Sequence, residues 1–195
     1  MNNTPHTNCL TLRLLHTAKG YKAVAFDIFD TLLKRDCARP ADLFALMEVT
    51  HQAALGFAEA RVAAEAETRQ TLGREVTLAE IYAHPALRGT DPAAECAAEL
   101  AMIAPNRPVA QAAAACHARG QKVYAVSDMY LPKEQIEAML QKCGLDFLDG
   151  VFVSCEYRVQ KRSGKLFKLF LQQTALRPAE VLFVGDSPRA DFAGA

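Results

Sequence analysis

The sequence places carboxylates, a hydroxyl and a lysine where one fold could bring them together. Asp27, Ser127 and Asp186 each end a short apolar run, Asp191 follows five residues after the last of these, and Lys161 lies in a basic stretch. Carboxylates gathered at one sheet edge repel one another unless a cation joins them, and Mg²⁺ prefers such oxygen ligands. The hydroxyl could hold an oxyanion, and the lysine could neutralise an anionic substrate or orient a nucleophile. This set favours phosphoryl transfer to a carboxylate, followed by hydrolysis of the aspartyl intermediate.

Short apolar runs, typical of strands buried on both faces, must position these groups. The runs are 23–26, 123–126, 151–153 and 181–184. Helical stretches separate the last three, which predicts an α/β fold with a Rossmann-like parallel sheet sandwiched by helices. Each run leads into a polar residue, and ligands bind at the carboxyl edge of open parallel sheets.

The interval between the first and second runs is too long for one crossover helix and reads as helical throughout. Thr77 and Glu80 have the spacing of a capping box. Arg61, Glu65 and Arg69 lie four residues apart, and we expect them to pair along the exposed side of a helix. We interpret the interval as a helical cap inserted after the first strand, lying over the strand ends. The predicted division is a lead-in at 1–20, a core formed by 21–35 and 105–195, and a cap over 36–104.

Composition excludes several kinds of partner. The 195 residues contain 22 basic and 22 acidic side chains, so no net field steers the chain towards nucleic acid or anionic lipid. No apolar run reaches the length of about 18 residues that spans a membrane, and residues 9–15 do not have the features of a signal peptide. Six scattered cysteines, none in a CxxC pair, favour reduced thiols and a cytoplasmic location. We expect a small-molecule substrate, with no nucleic acid and no membrane.

The order of these residues resembles the haloacid dehalogenase-like superfamily of hydrolases. Residues 27–32, Asp-Ile-Phe-Asp-Thr-Leu, resemble its first motif, which begins with the nucleophile. Residues 126–128, Val-Ser-Asp, resemble the second motif, and Lys161 resembles the third. Residues 185–187, Gly-Asp-Ser, together with Asp191, resemble the fourth. One such motif would be weak evidence, whereas four in order at strand ends are strong evidence.

The resemblance covers residues 23–195 and implies a magnesium-dependent phosphatase or phosphotransferase that acts on a small phosphorylated metabolite such as a sugar phosphate. The interval after the first strand resembles the helical cap of the superfamily. The implied catalytic residues are Asp27, Lys161 and Asp30. The implied substrate-binding residues are Ser127, Asp128 and Thr31, and the implied metal ligands are Asp27, the Phe29 carbonyl, Asp186 and Asp191.

One position departs from the phosphatase pattern. Phosphatases of the superfamily carry a general acid and base two residues after the nucleophile, and this chain has Phe29 there. An aromatic residue at this position is typical of the dehalogenases, so a carbon–halogen hydrolase is the second hypothesis. Asp186 and Asp191 favour the metal-dependent reaction, because a dehalogenase needs no metal. Asp30 could move the proton instead, although a turn residue that bonds its own backbone is the simpler interpretation.

A third hypothesis is a weakly active or non-catalytic binding module. The strings FDIFDTLLKR and SDMYLPKEQI resemble a bacterial subfamily that occurs beside, or fused to, glycosyltransferases of surface-polysaccharide synthesis. A glycosyltransferase is therefore an expected partner or fusion. The chain stops just past the fourth motif, where the superfamily normally adds a helix and an edge strand, so we expect a core that is truncated at its C-terminus.

Overall fold

A parallel sheet forms the centre of the core in the computed structural model, which describes residues 9–187. The strands are β1 (Ala23–Phe26), β2 (Leu33–Arg35), β3 (Ile103–Pro105), β4 (Lys122–Ser127), β5 (Gly150–Val153) and β6 (Val181–Val184). Within the described residues the main sheet has the order β5-β4-β1-β6, and each neighbouring pair is parallel. The predicted α/β fold and its four strand runs are confirmed.

Nine helices lie within residues 9–187, four of them between β2 and β3 and others against the faces of the main sheet. They are α1 (Cys9–Ala18), α2 (Asp42–Val49), α3 (Phe57–Leu72), α4 (Leu78–Tyr82), α5 (Pro92–Met102), α6 (Arg107–Ala118), α7 (Lys133–Lys142), α8 (Ser154–Tyr157) and α9 (Lys165–Thr174). Short 3₁₀ turns occupy Pro85–Leu87, Lys161–Ser163 and Pro178–Glu180. None of the helices within residues 9–187 combines the length and the apolar character that a membrane crossing requires.

The alternation of side chains along β1 divides the core into two layers. Val24 and Phe26 pack in one cluster with residues of α1, α6 and α7, whereas Ala25 packs in a second cluster with Phe167 and Phe170 of α9. Successive strand side chains point to opposite faces, so a fully apolar strand is buried from both sides. The strand ends are thereby held at fixed positions along one edge.

Two short strands connect the core with the cap, and the sequence analysis did not predict them. β2 and β3 pair antiparallel, so the chain leaves the core and returns to it through one two-stranded ribbon. Asn106 donates its backbone N–H to the carbonyl of Leu32 at 2.8 Å, directly beyond this ribbon. Runs of three residues are too short to show a readable alternation, which is why the pattern did not reveal them.

The cap contains the expected capping box at the start of α4. Thr77 Oγ1 accepts from the backbone N–H of Glu80 at 3.2 Å, and Glu80 Oε2 accepts from the backbone N–H of Thr77 at 2.9 Å. The loop after β4 is also bound here, because Leu78 donates its N–H to the carbonyl of Tyr130 at 2.8 Å. The helical segment therefore contacts the loop that follows Ser127.

The expectation that Arg61 lies on an exposed helix side is wrong. Its side chain is fully buried and donates to both carboxylate oxygens of Glu95 on α5, at 2.7 and 2.9 Å. Tyr82 Oη donates to the same carboxylate at 2.9 Å, and the Arg61 guanidinium lies 4.7 Å from the centre of the Tyr130 ring. The pairing of Arg61 with Glu65 does occur. Spacing along one helix cannot show which face a second helix covers, and α5 covers this one.

Burial opposes the charged form of Arg61, but hydrogen bonds and charge from neighbouring acidic groups outweigh that effect, so the pKa of Arg61 is raised above its ordinary value. The guanidinium is therefore charged at any pH at which the protein folds. A charged group at this depth stabilises the cap only while its carboxylate partner remains in place.

We predict that Arg61→Met lowers the free energy of unfolding by roughly 3–5 kcal/mol, because the buried Glu95 carboxylate would lose its cation. The matched control is Arg39→Met, which removes the pair between an exposed arginine and Asp42 and should cost far less, because solvent screens such pairs. Urea unfolding of both variants measures the difference. Equal losses in the two variants would contradict a structural role for the buried pair.

Candidate active site

The central feature of the strand edge is a buried ion pair. Asp27 directly follows β1, and its backbone N–H donates to the carbonyl of Val184 on β6 at 2.8 Å. Lys161 Nζ lies 2.6 Å from Asp27 Oδ1, and the two side chains are 3% and 10% exposed. The ammonium offsets the cost of removing the carboxylate from water, and this close contact helps to fix where the carboxylate points. The predicted nucleophile and lysine are thus in direct contact.

A second carboxylate lies at the end of the neighbouring strand. Thr31 Oγ1 donates to Asp186 Oδ1 at 3.3 Å, and Asn106 Nδ2 donates to the carbonyl of Thr31 at 2.7 Å. Phe26 and Val184 are register partners, and adjacent strands are about 4.8 Å apart. Asp27 and Asp186 therefore extend from adjacent strand ends at the same edge of the sheet.

The loop after β4 is held by hydrogen bonds on two sides. Ser127 is buried at the end of β4, and Asp128 Oδ1 accepts from the backbone N–H of Lys161 at 2.8 Å. Ser154 Oγ accepts from the N–H of Met129 at 2.8 Å and donates to the same residue's carbonyl at 3.3 Å. Asp128 does not cap the next helix, because α7 begins after Pro132 with no side-chain cap. Asp128 instead joins the second predicted motif to the third.

Phe29 and Asp30 form the turn that follows the nucleophile. Leu33 donates its N–H to the carbonyl of Ile28 at 2.8 Å, and Asp30 has a left-handed backbone with φ +59°. Asp and Asn adopt that conformation more readily than other side chains that carry a Cβ. The Asp30 carboxylate is exposed, and the Arg35 guanidinium stacks 4.0 Å from the centre of the Phe29 ring.

A cleft of about 500 Å³ separates this turn from the helical segment above it. We call it the cap cleft, and its lining includes Phe29, Asp30, Arg35, Phe44, Glu65, Arg69 and Asp128. Its volume is within the range of small-molecule sites. The cleft borders Phe29, two residues after Asp27, and Asp128, the residue after Ser127, so a ligand inside it would lie close to the edge at which the strands end.

The described residues supply part of the predicted metal set. Asp27 and Asp186 offer hard carboxylate oxygens on adjacent strand ends, which is the donor chemistry that suits Mg²⁺. Within residues 9–187 no group of three His, Cys, Asp or Glu side chains has the arrangement of a metal site. The third predicted carboxylate, Asp191, lies outside the described residues. The donors present therefore fit a site that also uses a backbone carbonyl, as predicted for Phe29.

Sequence reasoning missed several residues that position the site. Asn106 holds the backbone of Thr31, Ser154 clamps Met129, and Gln160 Nε2 donates to Glu75 Oε2 of the cap segment at 3.1 Å. Ser154 gave a weak signal, because it ends the third apolar run as Ser127 ends the second. The other contacts join residues at least 75 positions apart and have no local pattern.

A family model agrees with this geometry. The model of the haloacid dehalogenase-like hydrolases matches residues 21–195, which is most of the chain. The chain therefore belongs to the haloacid dehalogenase-like hydrolases. A search of curated proteins found no match.

Solved structures of this fold include enzymes with different reactions. The L-2-haloacid dehalogenase from Xanthobacter autotrophicus shares 22% identity, with 87% of this chain and 71% of that chain covered and a TM-score of 0.58. The HAD-hydrolase YfnB from Bacillus subtilis, bound to magnesium, shares 20% identity over 90% and 84%, with a TM-score of 0.60. The HAD phosphatase from Thermococcus onnurineus shares 20% over 89% and 80%, with a TM-score of 0.61. Structural likeness at these sequence identities shows the fold alone. The reaction must be inferred from the residues of the site.

Proposed function

We propose that this chain hydrolyses or transfers the phosphoryl group of a small phosphorylated metabolite, with magnesium and through an aspartyl phosphate on Asp27. The observation that carries the proposal is the second carboxylate, Asp186, held by Thr31 beside the nucleophile. A Lys161–Asp27 pair would serve a dehalogenase equally well. A second carboxylate on the adjacent strand end supports the binding of a cation, because Mg²⁺ prefers carboxylate oxygens as ligands.

Each of the site residues has a distinct task in this reaction. An Asp27 oxygen attacks phosphorus as the bond to the leaving oxygen breaks on the opposite side, and water then attacks phosphorus and releases Asp27. Lys161 offsets the repulsion between this carboxylate and the anionic substrate. Ser127 and the amides after it hold the equatorial oxygens. Magnesium, when bound by Asp27, Asp186 and the Phe29 carbonyl, supplies further charge neutralisation.

Proton transfer to the leaving oxygen is the step for which this chain departs from the phosphatase pattern. The Phe29 side chain cannot donate a proton, whereas Asp30 is exposed and lines the cap cleft. We assign the proton transfer to Asp30, or to water that it orients. Its left-handed turn supports this role, because it presents the carboxylate to the cleft rather than to the core.

A carbon–halogen hydrolase is the second candidate, and Phe29 is the observation that favours it. In that reaction an Asp27 oxygen would attack carbon and halide would leave, with no metal. Metal dependence separates the two candidates.

Three further expectations stay predictions: the glycosyltransferase partner, the binding-module hypothesis and the cytoplasmic location. The free cysteines within the described residues support the cytoplasmic location.

The metal proposal is tested by titrating the protein with MgCl₂ in a calorimeter. Asp186→Asn should weaken binding by at least about tenfold, because the loss of a direct ligand should cost no less than the loss of an outer-shell partner. Asp42→Asn, which alters an exposed cap carboxylate paired with Arg39, should leave binding unchanged. Equal affinities of the wild type and Asp186→Asn would exclude this site.

The nucleophile is tested by Asp27→Asn, which keeps the size of the side chain but removes its charge. Turnover against a panel of phosphate monoesters should fall by at least about 10³-fold, because covalent catalysis needs the carboxylate. Lys161 would also lose its ionic partner, so the thermal midpoint should be measured beside kcat. A folded variant with wild-type turnover would show that Asp27 is not the nucleophile.

Phe29→Asp should raise phosphatase turnover, by up to about 10²-fold, because it adds a proton-transfer group at the position that lacks one. Phe29→Asn is the matched control, because the asparagine side chain has the same shape as aspartate but cannot exchange a proton at neutral pH. Steady-state kcat of the two variants gives the comparison. A folded Asp variant that is no faster than the Asn variant would contradict this prediction and would show that proton transfer is already supplied from elsewhere.

A further inference from the structure

The charges of the cap cleft carry information about the leaving group of the substrate. Two arginines line the cleft, Arg35 and Arg69, together with the carboxylates of Asp30, Glu65 and Asp128. A substrate with a second anionic group would need one of the arginines. Whether either can serve depends on what already binds it.

Arg35 is committed to a buried carboxylate. It donates to both oxygens of Glu99, at 2.8 and 3.0 Å, and these side chains are 9% and 2% exposed. Its guanidinium also stacks on the Phe29 ring. If Arg35 turned towards a ligand, Glu99 would remain buried without its cation, which is strongly unfavourable.

Arg69 is held by two carboxylates. It pairs with Glu65 of the same helix and with Glu75, whose carboxylate lies 3.0 Å away. Glu75 is 2% exposed and also accepts from Gln160 Nε2. The positive charge of Arg69 is therefore offset on the cleft side by Glu65 and on the buried side by Glu75.

We infer that the cap cleft selects phosphate monoesters whose leaving group is uncharged, and that Glu65 is the specificity-determining residue because it neutralises Arg69. This inference rests on the proposed phosphatase function. A second anionic group would meet the carboxylates of Asp30, Glu65 and Asp128 while both arginines remain paired. Electrostatic repulsion of this kind is a common source of specificity. The cleft volume of about 500 Å³ suits a polyol or a monosaccharide.

Glycerol 3-phosphate and 3-phosphoglycerate test the inference, because they differ mainly in a hydroxymethyl group against a carboxylate. Wild type should prefer glycerol 3-phosphate in kcat/KM by at least about tenfold. Glu65→Gln should move this ratio towards 3-phosphoglycerate by about fivefold, the effect of one partly exposed charge. The control residue is Glu67, which lies on the same helix, pairs with His84 and is 62% exposed. Glu67→Gln should leave the ratio unchanged.

The shift in the kcat/KM ratio that Glu65→Gln causes must also depend on Arg69. Adding Arg69→Met to Glu65→Gln should return the ratio to the wild-type value, and thermal unfolding of each variant confirms that the cap is intact. A wild type that prefers 3-phosphoglycerate, or a folded Glu65→Gln with an unchanged ratio, would overturn the inference.

Failure of the proposed function gives a different result. If wild type hydrolyses no phosphate monoester, that function is rejected, and the selectivity is then read from binding alone. Calorimetric titration of Asp27→Asn and of Asp27→Asn with Glu65→Gln by the same two compounds provides this reading. A preference for glycerol 3-phosphate that weakens with Glu65→Gln supports the inference, whereas equal or absent binding of both compounds overturns it.

Discussion

The buried contact between Lys161 and Asp27 is the constraint on which the rest of the site depends. A lysine and an aspartate that are both almost inaccessible to water are stable only if they meet. This requirement fixes the end of β1 relative to the turn that begins at Lys161. The same turn is tied to the loop after β4 through Asp128. This ion pair and this hydrogen bond together relate three segments that the chain supplies far apart in sequence.

Polar contacts join the cap to this arrangement, in addition to the apolar cluster that cap and core residues share. Leu78 binds the carbonyl of Tyr130, and Glu75 accepts from Gln160, the residue before Lys161. Arg61, inside the cap, lies against the Tyr130 ring. The cap surface that lines the cleft is therefore bonded to the same loops that hold Asp128 and Lys161. Charge pairing in the cap and chemistry at the strand edge belong to one connected network.

Much of this arrangement could be predicted from the sequence, and the exceptions have physical reasons. Apolar runs that end in polar residues located the strands and brought Asp27 and Asp186 to one edge, because parallel strands align their carboxyl ends. Helix spacing identified the pairing of Arg61, Glu65 and Arg69 but placed Arg61 on the wrong side, since its burial depends on Glu95, 34 residues away in sequence. Contacts such as that between Gln160 and Glu75 depend on the docking of the cap. Local periodicity has no information about such docking.

The central claim is that Asp27 carries a phosphoryl group during turnover. The most direct measurement is an acid quench of wild type turning over its best phosphate monoester, labelled in the phosphoryl group, followed by borohydride reduction and peptide mass spectrometry. The account predicts covalent label in the protein before reduction and homoserine in place of aspartate at position 27 after it. Rapid turnover with no covalent label, or with label on another residue, would contradict it.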